Sequence, residues 1–334
     1  VEKIMSRPVL LGTGARAGGR LLASEEIDGR IGRKSGWLES QCGVRTRPVL
    51  SGAETQESLA VQAAQTALDD AGLHVDDIDL ILFASAVGRQ PIPATAALIK
   101  DALGLRKTAI PAFDINATCL SGVAALDVAS LYVSAGRAKR VLVVTSEVAT
   151  RALPWDTDPA TAGLFGDGAA AFIVGKGGEG LSVNQVMLET WSEGYEFCTL
   201  GAGGTRYDFH SSRDEFEENA FFKMDGHALF KLTRNKLPKF IDRLLEASGW
   251  SRSDIDVVIP HQASPLALEH MIRKCGFARE KVVSTVRDTG NLVAASIPMT
   301  LDTARRDGRI RAGDKILLIG TSAGVSLGGA TLTA

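Results

Sequence analysis

Cysteine is sparse in these 334 residues, and the four present, Cys42, Cys119, Cys198 and Cys275, stand far apart. There is no C-x-x-C pair and no Cys/His cluster at zinc spacing, so neither a zinc module nor a dithiol redox motif is expected. A chain of this length buries its own core, which argues against a disulfide framework and for a reduced, cytoplasmic protein. No apolar run reaches the roughly eighteen residues a transmembrane helix needs, so no membrane span is expected. The first residues, Val1 to Pro8, lack the basic-then-apolar layout of a secretory leader. Charge of one sign is also missing: 37 basic residues stand against 39 acidic ones, for a net charge of -2. A broad nucleic-acid-binding face is therefore not expected. With 45% hydrophobic and 23% charged residues, intrinsic disorder is excluded as the main state.

Glycine is what the chain has in excess. Its 35 glycines exceed the norm of roughly 7% and point to tight turns and close backbone approaches, common around buried sites. The length allows about two domains or one large one. A weak internal repeat favours two similar halves. Ala67–Gly72 leads into Asp77-Ile78-Asp79 and the apolar run Leu80–Leu82, while Leu244–Gly249 leads into Asp254-Ile255-Asp256 and Val257–Ile259. The two Asp-Ile-Asp triplets are 177 positions apart, and the runs Val141–Ser146 and Ile316–Thr321 are 175 apart. Order and spacing agree, which chance likeness of helix–strand units does not require.

Each half reads as alternating helices and buried strands. Apolar residues at 59, 60, 63, 64, 67, 68 and 71 form one face of a helix over Thr55–Ala71, with Thr55 as N-cap and Gly72 as the stop. Leu80–Phe83, Val141–Val144 and Ile316–Ile319 are continuous apolar runs, the pattern of strands buried on both faces. The result is a layered α/β fold. Pro238 predicts a kink or a new helix start. The aperiodic stretch Glu189–Asp225 reads as a cap over a pocket, part of a subunit contact, or a plain surface excursion.

Cys119 follows Phe113–Thr118, a strand and turn, and precedes the helical pattern of Leu120–Ala129. Unpaired N–H groups and the dipole at a helix N-terminus would lower the thiol pKa and make a nucleophile. A small core cysteine is the other reading. His261 closes the apolar run Val257–Pro260, where a strand end would hold an imidazole rigidly for proton transfer or hydrogen-bond donation; a packing histidine would look the same. Asn291 lies in a Gly-Asn turn leading into a helix, and its amide could donate to an oxyanion or simply serve the turn. Gly324 lies in a small-residue loop after the run Ile316–Ile319, where a backbone N–H can approach a ligand. Cys42, Cys198 and Cys275 lack such a context, and His74, His210, His227 and His270 look ordinary.

Together these segments resemble the thiolase superfamily, specifically the β-ketoacyl-acyl-carrier-protein synthase III group. The resemblance rests on Ala112–Ile115 before Cys119, Phe165-Gly166-Asp167-Gly168-Ala169-Ala170, Pro260-His261-Gln262-Ala263, and Gly290-Asn291 with Ala294–Pro298, and it runs from about Gly12 to the C-terminus. It implies a thiolase-like duplicated αβαβα five-layer fold, with halves at 1–176, carrying the cysteine, and 177–334, carrying histidine and asparagine. It also implies a Cys119, His261 and Asn291 site that condenses an acyl thioester with a malonyl thioester through an acyl-cysteine. The backbone N–H groups of Cys119 and Gly324 would form an oxyanion hole. No metal or redox cofactor is implied; an acyl carrier protein and a homodimer are. The setting would be fatty acid or polyketide-type secondary-metabolite synthesis.

Departures from the family pattern sharpen these expectations. Trp37 matches the tryptophan at the mouth of the coenzyme A channel, but Gln41 and Pro159 replace the arginines of the adenine clamp. Loading from an acyl carrier protein becomes the more plausible route. Ser264 stands where the family has a pantetheine-contacting Asn, and His227 joins the substrate-binding candidates. Lys231, Arg273 and Lys274 would keep part of a carrier-docking face, or form a solvated helix face. Ile92 takes the place of a residue that enters the partner subunit's acyl pocket, often Phe, and a smaller side chain there would admit longer or branched acyl groups. Two rival functions share the fold: acyl transfer to an alcohol or amine without carbon–carbon bond formation, and a non-catalytic scaffold subunit.

Overall fold

The computed structural model describes residues 7–334; Val1–Ser6, most of the stretch read above for a secretory leader, lie outside the described residues. The strands are β1 (Pro8–Ala17), β2 (Leu80–Ala84), β3 (Ala112–Ile115), β4 (Arg140–Val148), β5 (Asp167–Lys176), β6 (Leu181–Thr190), β7 (Val257–Pro260), β8 (Lys315–Ser322) and β9 (Ser326–Thr333). They form one continuous sheet in the order β7-β8-β9-β6-β1-β5-β4-β2-β3. Its two wings meet in the short β1–β6 pairing of Val9 with Ser182 and Leu10 with Leu181.

Each wing repeats the same plan. In the first, β1, β5 and β4 run antiparallel and β4, β2 and β3 run parallel. In the second, β6, β9 and β8 run antiparallel and β8 and β7 parallel. A single parallel bridge, Val258 to Val282, stands where the counterpart of β3 would be. The repeats noticed in the sequence are the β2/β7 and β4/β8 pairs, and residues 177–180 join the two wings.

Helices α1 (Gln56–Asp70), α2 (Thr95–Ala102), α3 (Ser121–Ser134), α4 (Lys236–Ala247), α5 (Pro265–Cys275) and α6 (Ser296–Arg306) make the other three layers. Alternation along the strands divides the core between them. Leu80, Leu82 and Ala84 face the central layer with α3 and α6, while Ile81 and Phe83 face α1 and α2. On the second wing Val257 and Ile259 turn inward, and Val258 packs outward against α4 and α5. The five layers are therefore α1/α2, sheet, α3/α6, sheet, α4/α5, the duplicated αβαβα arrangement.

Helix α1 shows how closely the layers meet. Thr55 caps it, accepting from the Ser58 N–H at 3.2 Å while the Ser58 hydroxyl accepts from the Thr55 N–H at 2.9 Å. Leu59, Ala60, Ala63, Ala64, Ala67 and Leu68 are fully buried against the sheet. Truncating Leu59 or Leu68 to Ala would cost about 2–5 kcal/mol. The helix lies so near β1 that a Cβ on Gly14 would fall 2.4 Å from the Ala63 carbonyl oxygen, so only glycine fits. Pro238 sits in the first turn of α4, which makes it a helix start and not a kink. No helix among the described residues is long and apolar enough to cross a membrane.

The stretch Glu189–Asp225 is more ordered than its composition implies. It holds the end of β6, a six-residue helix Arg213–Glu218, and a two-residue ladder of Cys198–Thr199 with Lys223–Met224. Cys198, Leu200, Phe222 and Met224 line the large cavity described next, so this stretch caps a pocket.

Candidate active site

The N-terminal ends of α3 and α6 face each other in the central layer, where Ala294 and Pro298 close over Gly122. Beside them opens a cavity of about 1160 Å³ lined by Cys119, His261 and Asn291. The first comes from one wing and the other two from the second.

Cys119 sits in a 3-10 turn, Thr118–Leu120, one step ahead of α3. Thr118 has a positive φ of 50°, which few non-glycine residues adopt. Asn116 holds that turn, its side-chain oxygen accepting from the Thr118 N–H at 2.9 Å. The Ser121 hydroxyl accepts from the Ala117 N–H at 2.9 Å. Across the wing boundary, the Ser322 hydroxyl donates to the Ala117 carbonyl at 2.8 Å and touches the Thr118 hydroxyl. The expected lowering of the thiol pKa is not found. Burial pushes Cys119 up to about 12, with the Glu147 carboxylate and the Cys198 sulfur adding to it. The local N–H groups that oppose the rise are those of Cys119 and Ala323. That corrects the expected partner, Gly324. Gly324 is not among the cavity-lining residues, whereas the Ser322 tether sets Ala323 beside the thiol.

His261 is buried at the end of β7, its N–H bonded to the Ile319 carbonyl at 2.8 Å. Its Nδ1 is buried without a hydrogen-bond partner among the described residues. Burial lowers the imidazole pKa to about 4, so the ring is neutral at pH 7. Gly320 makes room for it, since a Cβ there would lie 2.9 Å from the His261 Cβ. Gln262 fixes the strand end, donating to Pro260 O at 2.8 Å and accepting from Thr285 and Val286 N–H groups at 2.9 and 3.1 Å.

Asn291 is held from the other wing. Its N–H donates to Leu164 O at 2.7 Å, and its carbonyl accepts from Gly166 at 3.1 Å. The side-chain oxygen accepts from the Val293 N–H at 2.8 Å, which orients the amide nitrogen as the group left for a ligand. The Phe165–Ala170 motif therefore serves the site by backbone pairing. Its Asp167, buried and shifted upward by that burial, accepts from Leu50 N, Thr150 N and the Thr150 hydroxyl at 3.0, 3.0 and 2.7 Å.

Two acidic groups near the thiol, Cys198 and Glu147, escaped sequence reasoning. Cys198 is half-buried there with its thiol pushed by burial up to about 11. Glu147, at the end of β4, is buried beside Cys119 and is pushed by burial up to about 8. A carboxylate closing the apolar run Val141–Val144 was the available signal.

Comparison with known proteins agrees with this arrangement. Residues 113–191 match the family 3-oxoacyl-[acyl-carrier-protein (ACP)] synthase III, and residues 245–334 match its C-terminal counterpart. The beta-ketoacyl-[acyl-carrier-protein] synthase III of Thiobacillus denitrificans is 34% identical over 97% of this chain and 98% of that protein. The chain belongs to the synthase III family. The member from Sinorhizobium medicae is 36% identical over 98% of this chain and 99% of its own length. The crystal structure of the Aquifex aeolicus synthase III superposes with a TM-score of 0.87 at 28% identity, covering 98% of this chain and all of that one. Xanthomonas campestris OleA, at 21% identity and a TM-score of 0.86, shares the fold.

The outer residues of this synthase III chain divide. Ser264 lines the cavity, but its hydroxyl caps α5, accepting from the Ala267 N–H at 3.1 Å, so it is not a free replacement for the family's amide. Trp37 does not line the cavity, and Arg33 lies over its ring at 4.9 Å. His227 is exposed and does not line it either, because its helix turns Leu229 and Phe230 inward instead. Of Lys231, Arg273 and Lys274, all exposed, Lys274 borders the cavity. Arg234, not foreseen, borders it too. Ile92 is 86% exposed, outside the cavity of its own chain, although Gln90 and Pro91 line it.

Proposed function

We propose that this synthase III family member catalyses the decarboxylative condensation of an acyl thioester with a malonyl thioester through an acyl group carried on Cys119. The observation that carries this is the meeting of Cys119, His261 and Asn291 in one cavity. Cys119 attacks the thioester carbonyl, the acyl group moves to sulfur, and the thiol proton leaves with the departing thiol. Splitting the reaction this way replaces one hard step with two easier ones. The malonyl thioester then loses CO2. The electrons of the broken carbon–carbon bond form an enolate, whose oxygen takes hydrogen bonds from the neutral His261 ring and the Asn291 amide. The enolate carbon attacks the acyl carbonyl, and the sulfur of Cys119 is released and reprotonated.

A neutral imidazole suits this step, because it donates without a net charge to neutralise. The names of the relatives and the exposed cations Arg234 and Lys274 at the cavity support delivery by an acyl carrier protein. The exposure of Ile92 supports a homodimer in which that side chain reaches a second copy.

Intact-protein mass after incubation with an acyl thioester tests the proposal. The wild type gains the acyl mass and Cys119→Ala does not. Asn291→Ala gains it but forms no β-ketoacyl product and releases no CO2 from a malonyl thioester. Labelling that survives Cys119→Ala defeats the proposal. Acyl transfer to an alcohol or amine without CO2 release would establish the rival acyltransferase.

A further inference from the structure

The amide nitrogen of Asn291 is left for a ligand; that of Asn116 is not. It donates to the Ala86 carbonyl at 2.8 Å, while the Asn116 side-chain oxygen accepts from the Thr118 N–H at 2.9 Å. One side chain thus joins the turn before Cys119 to the segment that follows β2. A single orientation of the amide serves both bonds, because the N–H needs the oxygen and the carbonyl needs the nitrogen.

That segment is Ala86–Pro91, and all of it lines the cavity. Other side chains hold it as well. Glu147, at the end of β4, accepts from the Ala86 N–H at 2.6 Å, so Ala86 is gripped at both its N–H and its carbonyl. Gln56, the first residue of α1, is buried and donates to the Val87 and Ser146 carbonyls at 2.8 Å each. The Ser85 hydroxyl lies 3.0 Å from the same two carbonyls. Further on, the Arg89 N–H donates to the Thr95 hydroxyl at 3.0 Å, and the Arg89 side chain pairs with Glu57. These anchors all belong to the first wing, whereas the exposed cations Arg234 and Lys274 border the cavity from the second. A thioester entering past those cations to reach Cys119 sets its acyl tail against Ala86–Pro91.

We infer that Asn116 is a positioning residue for acyl selectivity: it ties the cavity wall Ala86–Pro91 to the Cys119 turn and so fixes the room left for an acyl group on the sulfur. A wall held by hydrogen bonds rejects an ill-fitting chain by overlap, and a released wall yields to it. The inference rests on Cys119 being the acylated residue.

The test is single-turnover acylation, read by intact mass, with acyl-pantetheine thioesters from acetyl to octanoyl and one branched donor. Asn116→Asp keeps the oxygen for the Thr118 N–H and loses the donor to Ala86. Its added charge acts on every donor alike and cancels in the ratio of the fastest donor to the slowest. That ratio should fall about fivefold, the scale of one hydrogen bond. Asn116→Ala loses both bonds and should show the same narrowing, with a further slowing common to all donors. A merely structural role would lower the unfolding temperature and leave the ratio alone. Equal slowing of every donor in Asn116→Asp overturns the inference, as does an unchanged profile. If Asn116→Asp fails to fold, amide exchange in the wild type decides: exchange across 85–89 as slow as in β2 supports the clamp, and exchange as fast as in exposed loops overturns it. Wild type that takes no acyl group from any donor sinks the condensing function, and this inference with it, whereas equal slowing sinks this inference alone.

Discussion

Asn116 and Asn291 stand 175 positions apart and make the same hydrogen bond, each side-chain oxygen accepting from the backbone N–H two residues on. The acceptors of those bonds hold Thr118 and Val293, both at a φ of 50°. Ser121 and Ser296 repeat the match, accepting from Ala117 and Leu292 N–H groups at 2.9 and 3.0 Å. The duplicated fold thus builds one strained turn twice. One copy carries the thiol three residues after its asparagine, and in the other the asparagine itself faces the cavity.

Asn116→Ala removes the acceptor for a strained turn directly before Cys119. It is expected to cost about 1–2 kcal/mol of stability and to slow acylation several-fold. Thermal unfolding and single-turnover acylation measured by mass check this. Unchanged acylation would show that the turn holds itself.

Stability against pH carries the marks of two buried groups. The folded pKa of His261 is lowered from 6.5 to about 4, so its contribution is present above pH 6.5 and is lost as the pH falls toward 4. Relative to wild type, His261→Gln should gain up to about 3 kcal/mol across that window. Glu147 has the opposite sign. Its folded pKa is raised from 4.5 to about 8, so its contribution is full below 4.5 and lost as the pH rises through 8. Glu147→Gln should gain on the wild type over that range. Urea unfolding at several pH values reads both differences, and parallel curves would contradict them.

Gly320→Val places a branched side chain against His261, with Leu120 and Ile297 atoms 3.1 Å from its Cβ. A loss of about 1–3 kcal/mol is expected, because neither the strand nor the ring can yield. Condensation should fall further than acylation if, as proposed, His261 acts on the malonyl half of the reaction. Equal loss in both half-reactions would place the imidazole in the first step as well.

Ile92 sets a prediction about the acyl group. Longer or branched acyl thioesters should outcompete acetyl thioester, and Ile92→Phe should move the preference back toward acetyl. Competition kinetics with mixed donors measure it. A wild-type preference for acetyl over every longer donor would remove Ile92 from the pocket of a second copy.

Much of the architecture was legible in the residue order. The apolar runs at β2, β4, β7 and β8, the Thr55-capped helix and the repeat near 175 residues follow from periodicity and capping, which are local properties. Cys119, His261 and Asn291 could be singled out because each sits where an element begins or ends. Cys198 and Arg234 could not, since nothing local distinguishes a cavity-facing side chain from one facing solvent or core, and for Glu147 the one local signal, a carboxylate just past an apolar run, does not say what it faces.

The sequence by itself determined which segments become strands and helices and that the chain folds as two similar halves, because alternation and capping act between near neighbours. The tertiary structure alone decided the ionisation of the site. Burial between two wings lifts the Cys119 thiol to about 12 and drops the His261 imidazole to about 4. Desolvation depends on what encloses a group from every side, and residues 175 positions away supply that enclosure.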